Sequence, residues 1–193
     1  MTHGIGHNRP PGATGWQKHC WTKARKALVG ERLPLEMIKV RMARARELGL
    51  SFPQYRSILL GGGRDITAFL FTAEGLHLRL ARELEVPAAV RTKLAQIKRC
   101  DLLALSPSGE VPEAFRSELA MVTGATIADA AAAPEAHYSW QAQRHAVRDL
   151  LNANSVPSSC VVMIGHGDAQ QGWAQAAQLV RYLPRTEYFD VTA

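Results

Sequence analysis

The hydrophobic periodicity of this chain changes near residue 100, and that change constrains its fold more than any single motif. Before residue 100, apolar residues recur every three or four positions, which is the spacing of amphipathic helices. After it, short apolar runs such as DLLALS and CVVMIG alternate with helical stretches. Such runs indicate buried strands. The pattern predicts an α+β, mostly helical fold, with a basic all-helical N-terminal domain followed by a small α/β unit.

Residues that favour helix ends separate the helices predicted in the first half. Proline suits a first helical turn, as at Pro34 and Pro87, and glycine often follows a last turn, as at Gly49. An apolar series from Ile66 to Leu84 defines a long helix after Asp65. The predicted helices cover about residues 16–28, 34–48, 51–60, 65–84 and 87–97. The predicted domains are a disordered head at 1–15, a basic helical domain at 16–99 and a small acidic α/β domain at 100–193.

The charge of the chain is divided unevenly along its length. Residues 1–100 hold 18 Lys and Arg against 7 Asp and Glu, whereas residues 101–193 hold 5 against 10. The halves therefore carry net charges of +11 and −5, which account for the +6 of the whole chain. This division suggests a basic end that binds a polyanion and an acidic end that binds a protein partner or forms a homodimer. The alternative is a basic helical surface that is only solvated.

A basic helical hairpin is predicted at RARELGLSFPQYRSILLGGGRD, residues 44–65. Two helices that cross closely need a small residue where they touch and a glycine in the turn between them. Ala45 and Gly49 meet these requirements. The positions expected to face inward are Leu48, Leu50, Tyr55 and Ile58.

This hairpin resembles the helix-turn-helix motif of bacterial DNA-binding proteins over about residues 41–60. The resemblance implies a recognition helix from about Ser51 to Leu60, with its exposed side in the major groove. Two positions depart from the pattern, since Arg44 stands where the motif usually has an apolar residue and Tyr55 replaces the usual Val or Ile. The implied nucleic-acid contacts are Arg41, Arg44, Arg46, Ser51, Gln54, Arg56 and Ser57, with Arg56 the candidate guanine reader. The alternatives are a plain helical hairpin, or RNA or protein binding through the same basic surface.

The glycines of GGGRD, residues 61–65, allow two interpretations. Successive backbone N–H groups before a helix can hold an anion such as phosphate. The stretch lacks the GK[ST] sequence of a Walker loop, however. A flexible stop between two helices is the favoured interpretation.

A second candidate site lies in CVVMIGHGDAQQGW, residues 160–173. A strand that enters a glycine-bracketed turn and then a helix is where α/β proteins place ligands. The glycine spacing G-x-G-x4-G differs from that of dinucleotide sites, so such a site is not predicted. The possible ligand or acid–base residues are Cys160, His166 and Asp168, with His145 as a further candidate. The alternative is a surface turn in which Asp168 caps the next helix.

Several features bear on cellular location. The three cysteines, Cys20, Cys100 and Cys160, are far apart and form no paired spacing, which indicates free thiols in a reducing cytoplasm. No window is long and apolar enough for a membrane span, and the N-terminus lacks the apolar core of a secretory signal. No metal or cofactor is predicted. The IGHN and PP of the head resemble uncharacterised alphaproteobacterial proteins, which implies a bacterial origin.

Together these features predict a cytoplasmic bacterial DNA-binding protein with a regulatory role, using the basic helical domain. Two alternatives stay open. One is a small α/β enzyme or ligand-binding protein with a site near Cys160, His166 and Asp168. The other is a non-catalytic interaction protein whose basic helices dock on an acidic partner. Enzymatic activity is left open, with a non-enzyme favoured.

Overall fold

The computed structural model of the chain describes residues 34–76, 79–80, 84–135 and 137–189. The chain divides into two compact units between Val40 and Arg41. Of the first unit, the structure describes residues 34–40, which include the beginning of the first helix. All contacts discussed below belong to the second. The predicted head at 1–15, the predicted helix at 16–28 and Cys20 lie outside the described residues.

Strands and helices alternate along the described residues, and the first helix begins in the first unit and continues into the second. The helices are α1 (Leu35–Glu47), α2 (Phe52–Gly62), α3 (Ala88–Gln96), α4 (Pro112–Thr123), α5 (Trp140–Ala153), α6 (Asp168–Ala176) and α7 (Arg185–Phe189). The strands are β1 (Ala68–Thr72), β2 (Arg79–Leu80), β3 (Leu84–Glu85), β4 (Asp101–Ser106), β5 (Asp129–Ala132), β6 (Val161–Gly165) and β7 (Arg181–Pro184). A short 3₁₀ turn, Ser158–Cys160, precedes β6. No helix in the described part of the chain is long and apolar enough to cross a membrane.

Five of these strands form one parallel sheet in the order β5-β4-β1-β6-β7. Strand β1 lies at its centre, and Phe69 aligns with Leu102 of β4 on one side and Val162 of β6 on the other. Strands β2 and β3 form a separate antiparallel hairpin. Parallel strands need crossover connections, and helices provide them here.

Helices cover both faces of the sheet, because alternate residues of each strand point to opposite sides. Phe69 and Phe71 of β1 pack in a core cluster with residues of α1, α2, α3, α4 and α7. Ala68 and Leu70 pack in the other cluster with residues of α5 and α6. All five residues of β1 are buried. The result is a three-layer arrangement with the sheet in the middle.

The long helix predicted at 65–84 is wrong, because its residues include the central strand of the sheet. A parallel strand buried on both faces is apolar without interruption, so it lacks the alternation that would distinguish it from a helix. Since β1 pairs with β4 and β6, a domain boundary at residue 100 cuts through one sheet. The broader prediction of helices mixed with parallel strands is confirmed, whereas the all-helical N-terminal domain is not.

The hairpin of α1 and α2 has the inward residues that the sequence predicts. Ala45, Leu48, Leu50, Tyr55 and Ile58 are all buried. The Ser51 hydroxyl accepts a hydrogen bond from the Gln54 backbone, and the Gln54 side chain accepts one from the Ser51 backbone, which forms a capping box. The Gln54 amide also donates to the Glu187 carbonyl of α7 at 3.0 Å. The start of α2 is therefore fixed against α7.

Arg44 ties α1 to the chain segments that enter β1 and β4. Its guanidinium donates to carboxylate oxygens of Asp65 at 2.8 Å and Glu47 at 3.1 Å. It also donates to the Ile66 carbonyl at 2.8 Å and to the carbonyls of residues 98 and 99. Only 11% of the Arg44 side chain is exposed. The helix-turn-helix pattern has an apolar residue at this position. Arginine suits it here because its guanidinium satisfies the three backbone carbonyls, which would otherwise lack a donor.

Tyr188 of α7 connects the hairpin to the sheet. It is 1% exposed, and its ring centre lies 5.3 Å from that of Phe69. Its hydroxyl donates to the Leu48 carbonyl at 3.0 Å. Burial raises the pKa of Tyr188, so this hydroxyl remains a donor. The hairpin is thus held by a residue far along the chain.

Candidate ligand-binding site at the carboxyl edge of the sheet

The sheet changes its direction of winding between β1 and β6. From β1 the chain continues to β4 and β5, with α3 and α4 packed on one face. From β6 it continues to β7 through α6, which packs on the other face. The chain segments that leave the carboxyl ends of β1 and β6 therefore lead to helices on opposite faces of the sheet. A reversal of this kind opens a crevice beyond the strands, and open parallel sheets bind ligands there.

The loop after β1 forms a tight turn over residues 72–76. The backbone N–H of Gly75 donates to the Thr72 hydroxyl at 3.0 Å, and that of Leu76 donates to the Thr72 carbonyl at 3.1 Å. A Cβ atom on Gly75 would lie 2.3 Å from the backbone oxygen of Ile164 in β6. Only glycine fits at that distance, so the turn is seated directly against the neighbouring strand.

The loop after β6 is a second tight turn, which leads into α6. Gly167 has a φ of 115°, a conformation that L side chains rarely adopt. The Tyr182 hydroxyl donates to the Gly167 carbonyl and accepts from its N–H, both at 3.1 Å. The flanking His166 and Asp168 side chains are exposed. The turn is therefore rigidly placed, while its polar side chains face solvent.

The Tyr182 hydroxyl stays protonated in this arrangement. Burial raises the pKa of Tyr182; the Asp168 carboxylate adds to the rise, and the hydrogen bond with Gly167 opposes it. Only a protonated hydroxyl can donate to a carbonyl while accepting from an amide. Tyr182 therefore acts as a fixed support for the turn.

Polar contacts connect the two loops and the start of α7. The Gln170 side chain, 7% exposed, donates to the Glu74 carboxylate at 3.3 Å. Arg185 donates through Nη1 to the Glu74 carbonyl at 2.9 Å. Its Nε is buried and has no hydrogen-bond partner among the residues that the structure describes. A buried donor that is unpaired within the described ranges is a position where a bound acceptor would add a hydrogen bond.

These side chains suit recognition of a polar molecule. The carboxylates of Glu74 and Asp168 can accept hydrogen bonds, and the two imidazole nitrogens of His166 can donate and accept. Arg185 carries a positive charge. Helix α6 begins at this edge, and its N-cap, Gly167, has no side chain to cap the first N–H groups. Those N–H groups favour an acceptor or anion. Across residues 34–76, 79–80, 84–135 and 137–189, no three His, Cys, Asp or Glu side chains are grouped to hold a metal ion.

The predicted cluster of Cys160, His166 and Asp168 is only partly assembled. His166 and Asp168 share the turn after β6, but Cys160 precedes β6 and lies at the opposite edge of the sheet. At about 3.3 Å per residue, that strand separates Cys160 from His166 by roughly 20 Å. The thiol is also buried. Cys160 therefore does not belong to the site, and His145 lies on the exposed side of α5.

The predicted nucleic-acid contacts fall into two groups. Arg44, Ser51 and Gln54 are engaged in the internal contacts described above. Arg46, Arg56 and Ser57 are exposed and Arg41 is half-buried; none of the three arginines forms an ion pair within the described ranges. The structure thus offers Arg41, Arg46, Arg56 and Ser57 to a partner.

The glycines at 61–63 end helix α2 instead of preceding another helix. Gly63, with a φ of 68°, is the C-cap, and its N–H donates to the Leu59 carbonyl. Asp65 does not cap a helix, since its carboxylate accepts from Arg44 and from the Tyr55 hydroxyl at 3.0 Å. The chain then enters β1. The interpretation as a stop between two elements is supported, and a helix start that would hold phosphate is absent here.

Four residues of the site were not identified from the sequence: Glu74, Gln170, Tyr182 and Arg185. Glu74 is separated from Arg185 by 111 residues. Only knowledge of the strand order brings them together. The sequence did contain one signal, because the apolar run AFLFT is followed three residues later by Gly75. This pattern is also typical of a buried strand that enters a turn.

Comparison with family models, with curated proteins and with solved structures found no match to this chain.

Proposed function

We propose that this protein binds a small polar molecule in the crevice between the loops that follow β1 and β6. The observation that carries the proposal is the reversal of winding between these two strands. The described turns of both loops are held by hydrogen bonds, and Glu74, His166, Asp168 and Arg185 lie on these turns or at the start of α7. A few polar groups fixed at such a switch point can orient a ligand and make its binding selective.

The ligand is expected to carry a negatively charged or strongly accepting group. Arg185 and the beginning of α6 attract such a group. Asp168 and Glu74 oppose a second negative charge, so the remainder of the ligand is expected to present hydroxyl or amine donors. A hydroxy acid or a monophosphorylated polyol has this combination of groups.

The proposal is tested by nuclear magnetic resonance titration of the isotope-labelled chain with glycerol 3-phosphate, gluconate and the uncharged polyol glycerol. We expect saturable shifts of the Gly165–Gln170 amides with a charged probe. His166→Ala and Asp168→Asn should change the affinity several-fold. His145→Ala and Asp149→Asn are matched controls, because both side chains are exposed on α5. If neither charged probe shifts those amides, or if the controls act as strongly, the proposal fails.

DNA binding by the hairpin is a second candidate. The specific observation is that Arg41, Arg46 and Arg56 form no ion pair in the part of the chain that the structure describes. Since Ser51 and Gln54 are occupied by capping, we expect phosphate contacts to outweigh base contacts.

Fluorescence anisotropy of a labelled duplex across salt concentrations tests this second candidate. The combined variant Arg46→Ala, Arg56→Ala is expected to reduce the slope of log affinity against log salt by about 1.8, or about 0.9 for each phosphate that is no longer neutralised. Arg181→Ala serves as control, because its side chain is exposed on β7. Absence of binding at low salt would exclude the candidate.

A further inference from the structure

A cavity of about 600 Å³ lies between the turn of the helical hairpin and helix α3. Arg46, Gly49 and Ser51 line one wall, and Ala89, Lys93 and Gln96 line the other. This volume falls within the range of small-molecule sites, roughly 300–1,000 Å³. The cavity is separate from the crevice at the carboxyl edge, with which it shares no residue.

One face of helix α3 forms a wall of the cavity. Ala89, Lys93 and Gln96 lie four and three residues apart, so they share one face of α3. Gly49 of the hairpin turn is in close contact with α3, since a Cβ atom at Gly49 would lie 3.0 Å from the Lys93 Cε atom. Ala89, with its small side chain, belongs to the same lining. Leu50, 5% exposed, supplies an apolar surface within it.

The charges of the lining all have one sign. Arg46 and Lys93 are the charged residues of the lining, and no carboxylate belongs to it. Lys93 is held in place, since its ammonium donates to the Tyr188 carbonyl and lies 4.2 Å from the centre of the Tyr188 ring. Arg46 is exposed and forms no ion pair among the described residues. A guanidinium beside a fixed ammonium attracts an oxyanion.

We infer that this cavity binds a small organic anion, with a carboxylate or phosphate head at Arg46 and a short apolar body against Leu50 and Ala89. The cavity is too large for an inorganic ion alone, and its apolar wall favours a ligand with a hydrocarbon or aromatic part. Gln96 offers an additional polar contact. The inference does not depend on the proposed function, because the two sites have different residues and different probes.

The test is a titration of the isotope-labelled chain with phenyl phosphate, benzoate and the neutral analogue benzyl alcohol. Saturable shifts of the Gly49, Ser51 and Gln96 amides are expected with an anionic probe and not with benzyl alcohol. Tighter binding of phenyl phosphate would assign a phosphate ester, and tighter binding of benzoate would assign a carboxylate. Shifts confined to the Gly165–Gln170 loop would overturn the inference.

Two pairs of variants make the test specific. Arg46→Gln is expected to weaken binding about tenfold, the loss expected for one charged hydrogen-bond donor. Arg56→Gln, an exposed arginine on α2 outside the cavity, should leave affinity unchanged. Ala89→Leu should block binding by filling the space, whereas Ala95→Leu on the same helix should not. Equal losses within either pair, or no saturation up to roughly 10 mM, would refute the inference.

Discussion

Replacement of Arg44 by methionine is expected to lower the free energy of unfolding by about 3 kcal/mol. Methionine preserves the aliphatic stem and helix propensity, so the change isolates the guanidinium. That group donates to three backbone carbonyls and to the carboxylates of Asp65 and Glu47. Its removal leaves acceptors without a donor near the start of the central strand.

The magnitude follows from the surroundings of each contact. The three carbonyl contacts contribute roughly 2 kcal/mol together, less than fully buried charged bonds would, because they lie near the surface. The Asp65 carboxylate is 45% exposed. Its ion pair therefore adds only about 0.5–1 kcal/mol. For a chain of this size the total corresponds to a decrease in melting temperature of roughly 6–12 °C.

Urea denaturation followed by circular dichroism measures the effect, with Arg46→Met as the matched control. Arg46 lies on the same helix but is exposed, and its replacement should change stability by less than about 0.5 kcal/mol. If Arg44→Met costs less than about 1 kcal/mol, or no more than the control, the proposed structural role of Arg44 is refuted.

Two further predictions concern the sheet edge and the acid stability of the fold. Gly75→Ala is expected to destabilise the protein by roughly 2–4 kcal/mol, because the added Cβ atom collides with Ile164. Gly172→Ala should instead stabilise it by up to about 1 kcal/mol, because open space surrounds Gly172 in α6. Thermal denaturation of both variants tests this prediction, and equal effects on stability would contradict it. Arg99, with a further contribution from Arg44, holds the pKa of Glu47 below its ordinary value of 4.5. This interaction stabilises the fold above the pKa of Glu47 in the unfolded chain, and the stabilisation is lost as the pH falls through the lower pKa of Glu47 in the folded protein. The free energy of unfolding, measured between about pH 5 and pH 3, should therefore decrease less in Glu47→Gln than in the parent chain.

The hairpin shows what local sequence can predict. Its inward residues repeat at helical spacing, and Gly49 and Ser51 mark the turn and the cap. Each of these signals acts over a few residues, so no knowledge of the rest of the fold is needed. The burial predicted for Ala45 and Tyr55 is confirmed for that reason.

Strand β1 shows where such reasoning stops. Its apolar residues extend a helical pattern begun at Ile66, and nothing in the segment reveals that neighbouring strands will cover both of its faces. The same limitation affected the candidate site. Cys160 and His166 are close in sequence but lie at opposite edges of the sheet, whereas Glu74 and Arg185 are distant in sequence and in contact. Strand order decides both cases, and it is a property of the whole chain.

The contact between Tyr188 and the hairpin also bears on how the protein is made. The Leu48 carbonyl receives its hydrogen bond from a residue 140 positions later. During synthesis on the ribosome, the hairpin and β1 emerge long before β6 and α7. Strand β1 therefore lacks its neighbour β6 for much of synthesis, and the hairpin lacks its contact with Tyr188. Contacts of such long sequence separation slow folding and leave apolar surface exposed during synthesis. The early segments of this chain are therefore expected to need protection, by a chaperone or by the ribosome surface, until α7 has emerged.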